Sequence, residues 1–321
     1  MTTKLSDTNI LEQAQASVIR QATDEGFISD DTVAIDATHV EARDQAPIKK
    51  ETQPKSAPKK RGRKSKDERD QWLKAEAEKA ANLPLYEKPI AAQLDATLAD
   101  LRDDVPQDPK WGIKKNSDFS GGQLNDGKAA IPLLKGLQER LSLPDLRYQT
   151  MDAGYDYTPI YTQVHQMGQQ SVIAYNRRNE PAPDGFNKHF APTCVREHAY
   201  RYDSFDSKYE TLKYTQPKEC KNCPLVNEGL CQKVWKIKIT QDLRRYTAPA
   251  RGSKAWKTIF KRRTSVERVN AYLKEYFQLN NVRYRTGQRA KVHFDTVTLI
   301  YNASKLAVDR INTQRNTQNV A

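Results

Sequence analysis

Two acidic residues lie in or at the end of predicted apolar strands, where a carboxylate is unusual. Asp36 falls within residues 32–40, a run rich in β-branched residues that predicts a strand. Asp152 ends a second predicted strand, just before Gly154. An unpaired carboxylate in an apolar strand loses several kcal/mol of solvation, and ligands bind at the carboxyl ends of parallel strands. Both positions are therefore candidates for a functional site.

A third acidic residue, Glu267, lies in residues 253–279, which lack Pro and Gly and predict one long helix. At about 100° per residue, apolar side chains form a buried seam. A stripe of three charged residues, Arg263, Glu267 and Lys274, borders this seam, with Phe260 at its start. A carboxylate between two cations suits a site that holds a metal ion and a phosphate together. An ordinary Arg–Glu pair on an amphipathic helix, worth a few tenths of a kcal/mol, has the same spacing, so both interpretations stay open.

The elements around these residues alternate between strands and helices. Helical patterns cover residues 8–24, 131–141 and 157–167, and strand patterns cover 32–40, 146–152 and 171–175. This alternation is typical of a parallel α/β sheet with crossover helices. Residues 185–245 are rich in Tyr and contain all four Cys, which predicts a β-rich insertion, and a last helix is expected over about 292–311.

Three motifs, in this order along the chain, resemble those of the DDE transposases of bacterial insertion sequences. Phe260-x2-Arg263-x3-Glu267-x6-Lys274 is similar to the family's Tyr-x2-Arg-x3-Glu-x6-Lys signature, with Phe260 in place of Tyr. Residues 33–38 resemble the family's first-Asp strand, and residues 152–156 resemble its second-Asp motif. The resemblance extends over roughly residues 30–311 and is much more specific than any one motif.

The resemblance implies an α/β fold with an RNase H-like (retroviral-integrase-like) core. By this resemblance, Asp36, Asp152 and Glu267 of this chain would bind two Mg²⁺ or Mn²⁺ ions. Arg263 and Lys274 would hold the DNA backbone, and Phe260 would pack against a base or sugar. The expected activity is cleavage and transfer of DNA strands at transposon ends and target DNA. A homodimer in the bacterial cytoplasm, associated with the nucleoid, is the expected setting.

One part of the family pattern is missing. Between Val40 and Leu146 the sequence contains no pair of strands with the Gly-Tyr-Lys-x-His element usual in relatives. This predicts a shortened copy whose core lacks two strands, with Asp36 on an exposed sheet edge. Two main hypotheses follow: a transposase, active or inactivated by truncation, and a non-catalytic DNA-binding protein that uses the basic linker and the Cys module. A third, another RNase H-like nuclease, is disfavoured by the Arg and Lys that flank Glu267.

The charge balance favours a polyanionic partner. The 321 residues include 53 Lys and Arg against 40 Asp and Glu, a formal net charge of +13. Residues 49–66 contain nine of these cations and one Glu, which predicts a disordered basic linker. Within it, residues 58–64 resemble an AT-hook whose Arg61 and Arg63 enter the minor groove. A non-specific phosphate-binding tail is the alternative.

The four Cys could form a zinc site. The pair Cys220 and Cys223 precedes Cys231, and Cys194 lies upstream, a set that could supply four thiolates. Unligated thiols are the alternative, and His198 is an alternative to Cys194 as a ligand. No apolar run reaches the ~20 residues of a membrane span and the N-terminus lacks a signal peptide, so a reducing compartment without disulfides is expected.

These features divide the chain into five predicted segments. They are an N-terminal helical segment (1–30), a first part of the catalytic domain (31–184) that includes the linker, a β-rich Cys insertion (185–250), a C-terminal helical part of the catalytic domain (251–312) and a disordered tail (313–321).

Overall fold

Two three-stranded sheets organise the protein, one parallel and one antiparallel. The computed structural model describes Leu5 and residues 8–40, 65–105, 124–140, 145–178, 180–226, 231–283 and 287–320. The α/β class expected from the sequence is observed. None of the described helices is long and apolar enough to span a membrane.

The parallel sheet follows the predicted alternation of strands and helices. Its strands are β1 (Thr32–Ala34), β2 (Tyr148–Met151) and β3 (Gln170–Ile173), adjacent in that order. The described part of the chain contains no strand between β1 and β2, and residues 41–64 and 106–123 lie outside it. The strand predicted over residues 32–40 is much shorter in the structure, so the prediction that Asp36 lies inside a strand is wrong. Asp36 lies two residues after β1 ends.

Helices cover the parallel sheet and form the main core. The helices are α3 (Leu98–Asp103), α4 (Asp126–Arg140) and α5 (Thr158–Gln166), of which α5 is the crossover between β2 and β3. They bury the apolar side chains of Leu101, Ile131, Leu134, Met151, Tyr155, Ile160, Tyr161, Val164 and Ile173. Burial of these side chains stabilises the strand ends that carry the polar residues.

The last two residues of the predicted basic linker belong to the start of a helix. Helix α2 (Lys66–Ala81) begins with a capping box in which Ser65 and Glu68 exchange hydrogen bonds, and none of its residues is buried. Ser65 and Lys66 therefore belong to a helix start and not to a linker. Residues 49–64, including the AT-hook-like Arg61 and Arg63, lie outside the described residues.

The two ends of the chain pack together as helices. Helix α1 (Ile10–Asp24) lies against α8 (Gly287–Val320), joined by Lys291 to Glu12 at 2.8 Å and by Arg310 to Glu25. The prediction of a disordered tail over residues 313–321 is wrong for residues 313–320, because α8 continues through Val320. The segment after Gly287 contains neither Pro nor Gly, so nothing in the local sequence ends the helix.

The antiparallel sheet lies within residues 185–250, where the sequence predicts a β-rich insertion. Its strands are β4 (Arg201–Asp206), β5 (Thr211–Thr215) and β6 (Val234–Lys238), in that order. Aromatic and aliphatic side chains form a second core beneath it, including Phe190, Tyr200, Leu212, Tyr214, Ile237 and Ile239.

The long helix predicted over residues 253–279 is two helices, α6 (Lys254–Lys261) and α7 (Thr264–Tyr276). At the junction the amide of Arg263 donates to the carbonyl of Phe260 at 3.1 Å, an i to i−3 bond that tightens the turn. The side chain of Arg262 donates to Asp31 at 2.6 Å. Phe260 therefore lies on α6, and Arg263 precedes the helix that carries Glu267.

Candidate active site

The residues after β1 and β2 bring Asp36 and Asp152 to the same edge of the parallel sheet. Ala34 pairs with Thr150, and the amide of Ile35 continues this pairing by donating to the Thr150 carbonyl at 2.9 Å. Asp152 accepts a hydrogen bond from the Gly154 amide at 2.8 Å. Parallel pairing in this register places both carboxylates at the carboxyl ends of neighbouring strands.

Arg263 connects this sheet edge to α7. Its guanidinium lies 3.6 Å from Asp36 Oδ2 and 2.6 Å from Glu267 Oε1. The side chains of Arg263 and Asp36 are 17% and 19% exposed, whereas that of Glu267 is 51% exposed. One cation thus contacts two of the three predicted catalytic carboxylates, and it does so at the border between core and solvent.

The carboxylates of the site repel one another. Burial raises the pKa of Asp36, and the negative charges of Asp152 and Glu267 raise this pKa further, while Arg263 opposes them. The charged form of Asp36 is therefore disfavoured overall, although Arg263 and a hydrogen bond from the Ala37 backbone favour it. A site with this balance of charge gains from any additional cation that the oxygens can contact.

A fourth carboxylate, Asp126 at the start of α4, also lies at this edge. A Cβ atom added to Gly154 would lie 3.0 Å from an oxygen of Asp152 and 3.9 Å from one of Asp126, so these two oxygens are at most about 7 Å apart. Partial removal from water raises the pKa of Asp126, and the charge of Asp152 adds to this rise. Gly127 permits the start of α4 to pack closely against Tyr157, since a Cβ atom at Gly127 would overlap the Tyr157 ring.

The sequence analysis did not identify Asp126. An acidic residue in the first turn of a helix usually interacts favourably with the helix dipole. The sequence pattern is the same whether or not such a residue also belongs to a site. Only the fold places α4 beside the strand that ends at Asp152.

The donor set of the site fits a hard divalent cation. Within the described ranges, no group of three or more His, Cys, Asp and Glu side chains is arranged to hold a metal ion as it stands. The available donors are nevertheless carboxylate oxygens, which Mg²⁺ and Mn²⁺ prefer. The guanidinium between Asp36 and Glu267 holds a positive charge there, so a metal ion would have to displace Arg263.

The other predicted DNA-binding residues have different surroundings. The ring of Phe260 stacks on Trp256 with centroids 4.8 Å apart, and the Arg263 guanidinium lies 5.8 Å from the Phe260 ring centroid. Lys274 is half-buried on α7, seven residues after Glu267, which is about 10 Å along the helix axis. Phe260 and Arg263 therefore belong to one cluster, and Lys274 extends the same side of the structure.

A buried polar network lies below the site. The fully buried carboxylate of Asp156 accepts two hydrogen bonds from Arg244, at 2.9 and 3.1 Å, and one from Tyr161 at 2.7 Å. Arg251 donates to the hydroxyl of Tyr161 and to the carbonyl of Ile173, both at 2.6 Å. The network joins the segment after Asp152 to the segment that leads into α6.

Comparison with known proteins gives one match. Residues 112–303 match the family model described as "Transposase DDE domain". The matched range contains Asp126, Asp152 and Glu267, whereas Asp36 lies before it. No curated protein and no solved structure matches the chain.

Proposed function

This chain belongs to the transposase DDE domain family, and from that premise we propose that it cleaves and transfers DNA strands with an RNase H-like core. Asp36, Asp152 and Glu267 would hold two Mg²⁺ or Mn²⁺ ions. The observation that carries this proposal is that Arg263 contacts both Asp36 and Glu267, while Asp152, at the neighbouring strand end, is close enough for its charge to raise the pKa of Asp36.

The proposed chemistry divides between metal and protein. Bound divalent ions would activate the attacking oxygen and stabilise the leaving oxygen at the scissile phosphate. The carboxylates orient the ligands and supply the negative charge that draws cations to this edge of the sheet. Arg263 would leave Asp36 and Glu267 and turn to a DNA phosphate, because its guanidinium matches phosphate geometry as well as carboxylate geometry.

DNA would lie along α6 and α7. Lys274 and Arg263 would neutralise backbone phosphates, and Phe260 would contact a base or sugar beside the stacked Trp256. The basic segment with Arg61 and Arg63 would add sequence-independent affinity, in keeping with the formal net charge of +13. We further propose two copies acting together on two transposon ends in the bacterial nucleoid.

The decisive experiment measures nicking and strand transfer on DNA that carries the terminal inverted repeats of the source element. Asp36→Asn, Asp152→Asn and Glu267→Gln should each reduce cleavage in Mn²⁺ to background and leave DNA binding intact, because each removes an oxygen charge that holds the ions. Asp145→Asn, an exposed residue before β2, is the matched control and should keep full cleavage. DNA binding without cleavage by the unaltered protein would instead support the non-catalytic DNA-binding hypothesis.

A second experiment tests the position of Arg263. Arg263→Gln should tighten Mn²⁺ binding, measured by calorimetry, about two- to fivefold, since a partly exposed ion pair is worth about 0.4–1 kcal/mol. The same substitution should weaken DNA binding. The neighbouring Arg262→Gln removes a cation that contacts Asp31 and not the site, so it should leave Mn²⁺ affinity unchanged. Equal Mn²⁺ affinities in both variants would show that Arg263 does not compete with metal.

A further inference from the structure

The four Cys emerge from one end of the antiparallel sheet. The first residue of β4, Arg201, pairs with the last residue of β5, Thr215, which pairs with the first residue of β6, Val234. The connection before β4 carries Cys194, the connection after β5 carries Cys220 and Cys223, and the connection before β6 carries Cys231. Antiparallel pairing therefore brings the three Cys-bearing connections to the same end of the sheet.

Local turns hold the Cys-bearing segments. The amide of Cys194 donates to the carbonyl of His198 at 3.0 Å, in a tight turn where Glu197 has a φ of 63°. The amide of Cys223 donates to the carbonyl of Cys220 at 3.3 Å, across the short helix that contains Cys220. Both Cys-bearing segments are thus compact turns, a backbone form suited to presenting side chains to a common ligand.

Hydrogen bonds join the Cys-bearing connections to one another. The hydroxyl of Tyr200 donates to the carbonyl of Gln232 at 2.9 Å, which joins the segment after Cys194 to the residue after Cys231. The Arg201 side chain donates through Nε to the carbonyl of Gln216 at 3.1 Å, which joins the start of β4 to the connection that carries Cys220 and Cys223. All four side chains are half-buried, and none forms a disulfide.

From this convergence we infer that Cys194, Cys220, Cys223 and Cys231 bind one structural Zn²⁺ ion. Four thiols would lose four protons and form a tetrahedral zinc tetrathiolate with a net charge of −2. The same connections carry Arg196, Lys218, Lys221 and Lys233 against Glu197, Glu219 and Glu228, so their side chains offset only part of that charge. Because the thiols as described are not arranged around an ion, their side chains must rotate onto it.

A zinc ion would explain how so small a sheet is stabilised. Most residues of β4 are half-buried or exposed, and only three strands share the core beneath. Domains below about 70–80 residues often add a disulfide or a metal ion to their apolar core, and residues 185–250 are a segment of that size. The ion would tie the ends of all three strands, and the Arg244–Asp156 contact connects the segment after β6 to the catalytic region.

The test is the metal content of the full chain purified without chelators. Elemental analysis should find one Zn²⁺ per chain, and the thiols should resist alkylation until a chelator exposes all four. Cys220→Ser with Cys223→Ser should reduce zinc to background, whereas His198→Ala should retain it because the imidazole is not a ligand. Asp36→Asn should also retain zinc, which separates this site from the catalytic ions.

A measurement on the unaltered chain guards against misfolding of the Cys variants. After zinc is removed, titration with Co²⁺ should produce thiolate-to-cobalt charge-transfer absorption that saturates at one equivalent, and Zn²⁺ should reverse it. Zinc-free protein with four freely reactive thiols and no cobalt–thiolate absorption would overturn the inference. Iron in place of zinc, or loss of zinc in His198→Ala, would overturn the assignment of metal or ligands.

Discussion

Replacing Arg244 with Met would leave Asp156 buried without its cationic partner. The Asp156 side chain has no exposed surface and that of Arg244 is 10% exposed, so water cannot replace the lost contact. The substitution removes two of the hydrogen bonds to the carboxylate and leaves those from Tyr161 and the Asn176 amide. Breaking a buried pair from one side costs about 3–5 kcal/mol, and we expect a loss of unfolding free energy in that range.

The neighbouring Arg245 offers a matched control. Its side chain is 31% exposed and lies 3.3 Å from Asp242 and 3.7 Å from Glu180, both of which are themselves partly exposed. Arg245→Met should therefore cost no more than about 1 kcal/mol. The double change Asp156→Asn with Arg244→Met removes both charges, so it should recover most of the loss seen with Arg244→Met alone.

The assay is urea unfolding followed by circular dichroism, with the slope and midpoint fitted for each variant. If Arg244→Met lowers the unfolding free energy by less than about 1 kcal/mol, with an unchanged dependence on urea, the reasoning is refuted. A buried carboxylate that has lost its cation should destabilise the fold by more than that. A double variant less stable than Arg244→Met would also refute it. In that case the hydrogen-bond geometry, and not the buried charge, would determine the stability of this region.

Two further predictions concern other charges. Asp126→Asn should weaken Mn²⁺ binding roughly fivefold in calorimetry. An ion held by Asp152 would lie near Asp126, whose oxygen is at most about 7 Å from that of Asp152, and one charge at such a distance from a divalent ion is worth about 1 kcal/mol at high dielectric constant. Asp145→Asn is the control, and equal affinities would contradict the role of Asp126. The hydrogen bond from Arg310 lowers the pKa of Glu25 below its ordinary value of 4.5, so this pair stabilises the fold above that pH and its contribution disappears as pH falls through the lowered pKa. Glu25→Gln should therefore be less stable near neutral pH and converge with the unaltered protein in acid unfolding curves; a difference that persists unchanged at low pH would exclude this explanation.

Local patterns in the sequence were sufficient for the class of fold and for the family. Local patterns predicted the β2–α5–β3 unit, because apolar spacing, the length of each run and the content of β-branched residues together distinguish strands from helices. The same patterns placed Asp152 at the end of a strand, and the motif around Glu267 led to the family that the match over residues 112–303 shows. The catalytic roles of Asp36, Asp152 and Glu267 stay predictions.

Other features depend on partners distant in sequence. The break between α6 and α7 was not predictable, since no Pro or Gly marks it, and it coincides with contacts from Arg262 and Arg263 to the segment around β1. The Asp156–Arg244 pair joins residues 88 positions apart. The charges and the apolar periodicity of a sequence do not show which residues far apart along the chain will contact each other.

What the sequence alone determined is therefore the set of local elements and the residue types that end them. The tertiary structure decided which of those ends meet: Asp126 beside Asp152, Arg263 between Asp36 and Glu267, and four Cys at one sheet end. The physical reason is that backbone propensity and apolar spacing act within a few residues. Charge pairing and metal coordination instead depend on distances that exist only after the chain has folded.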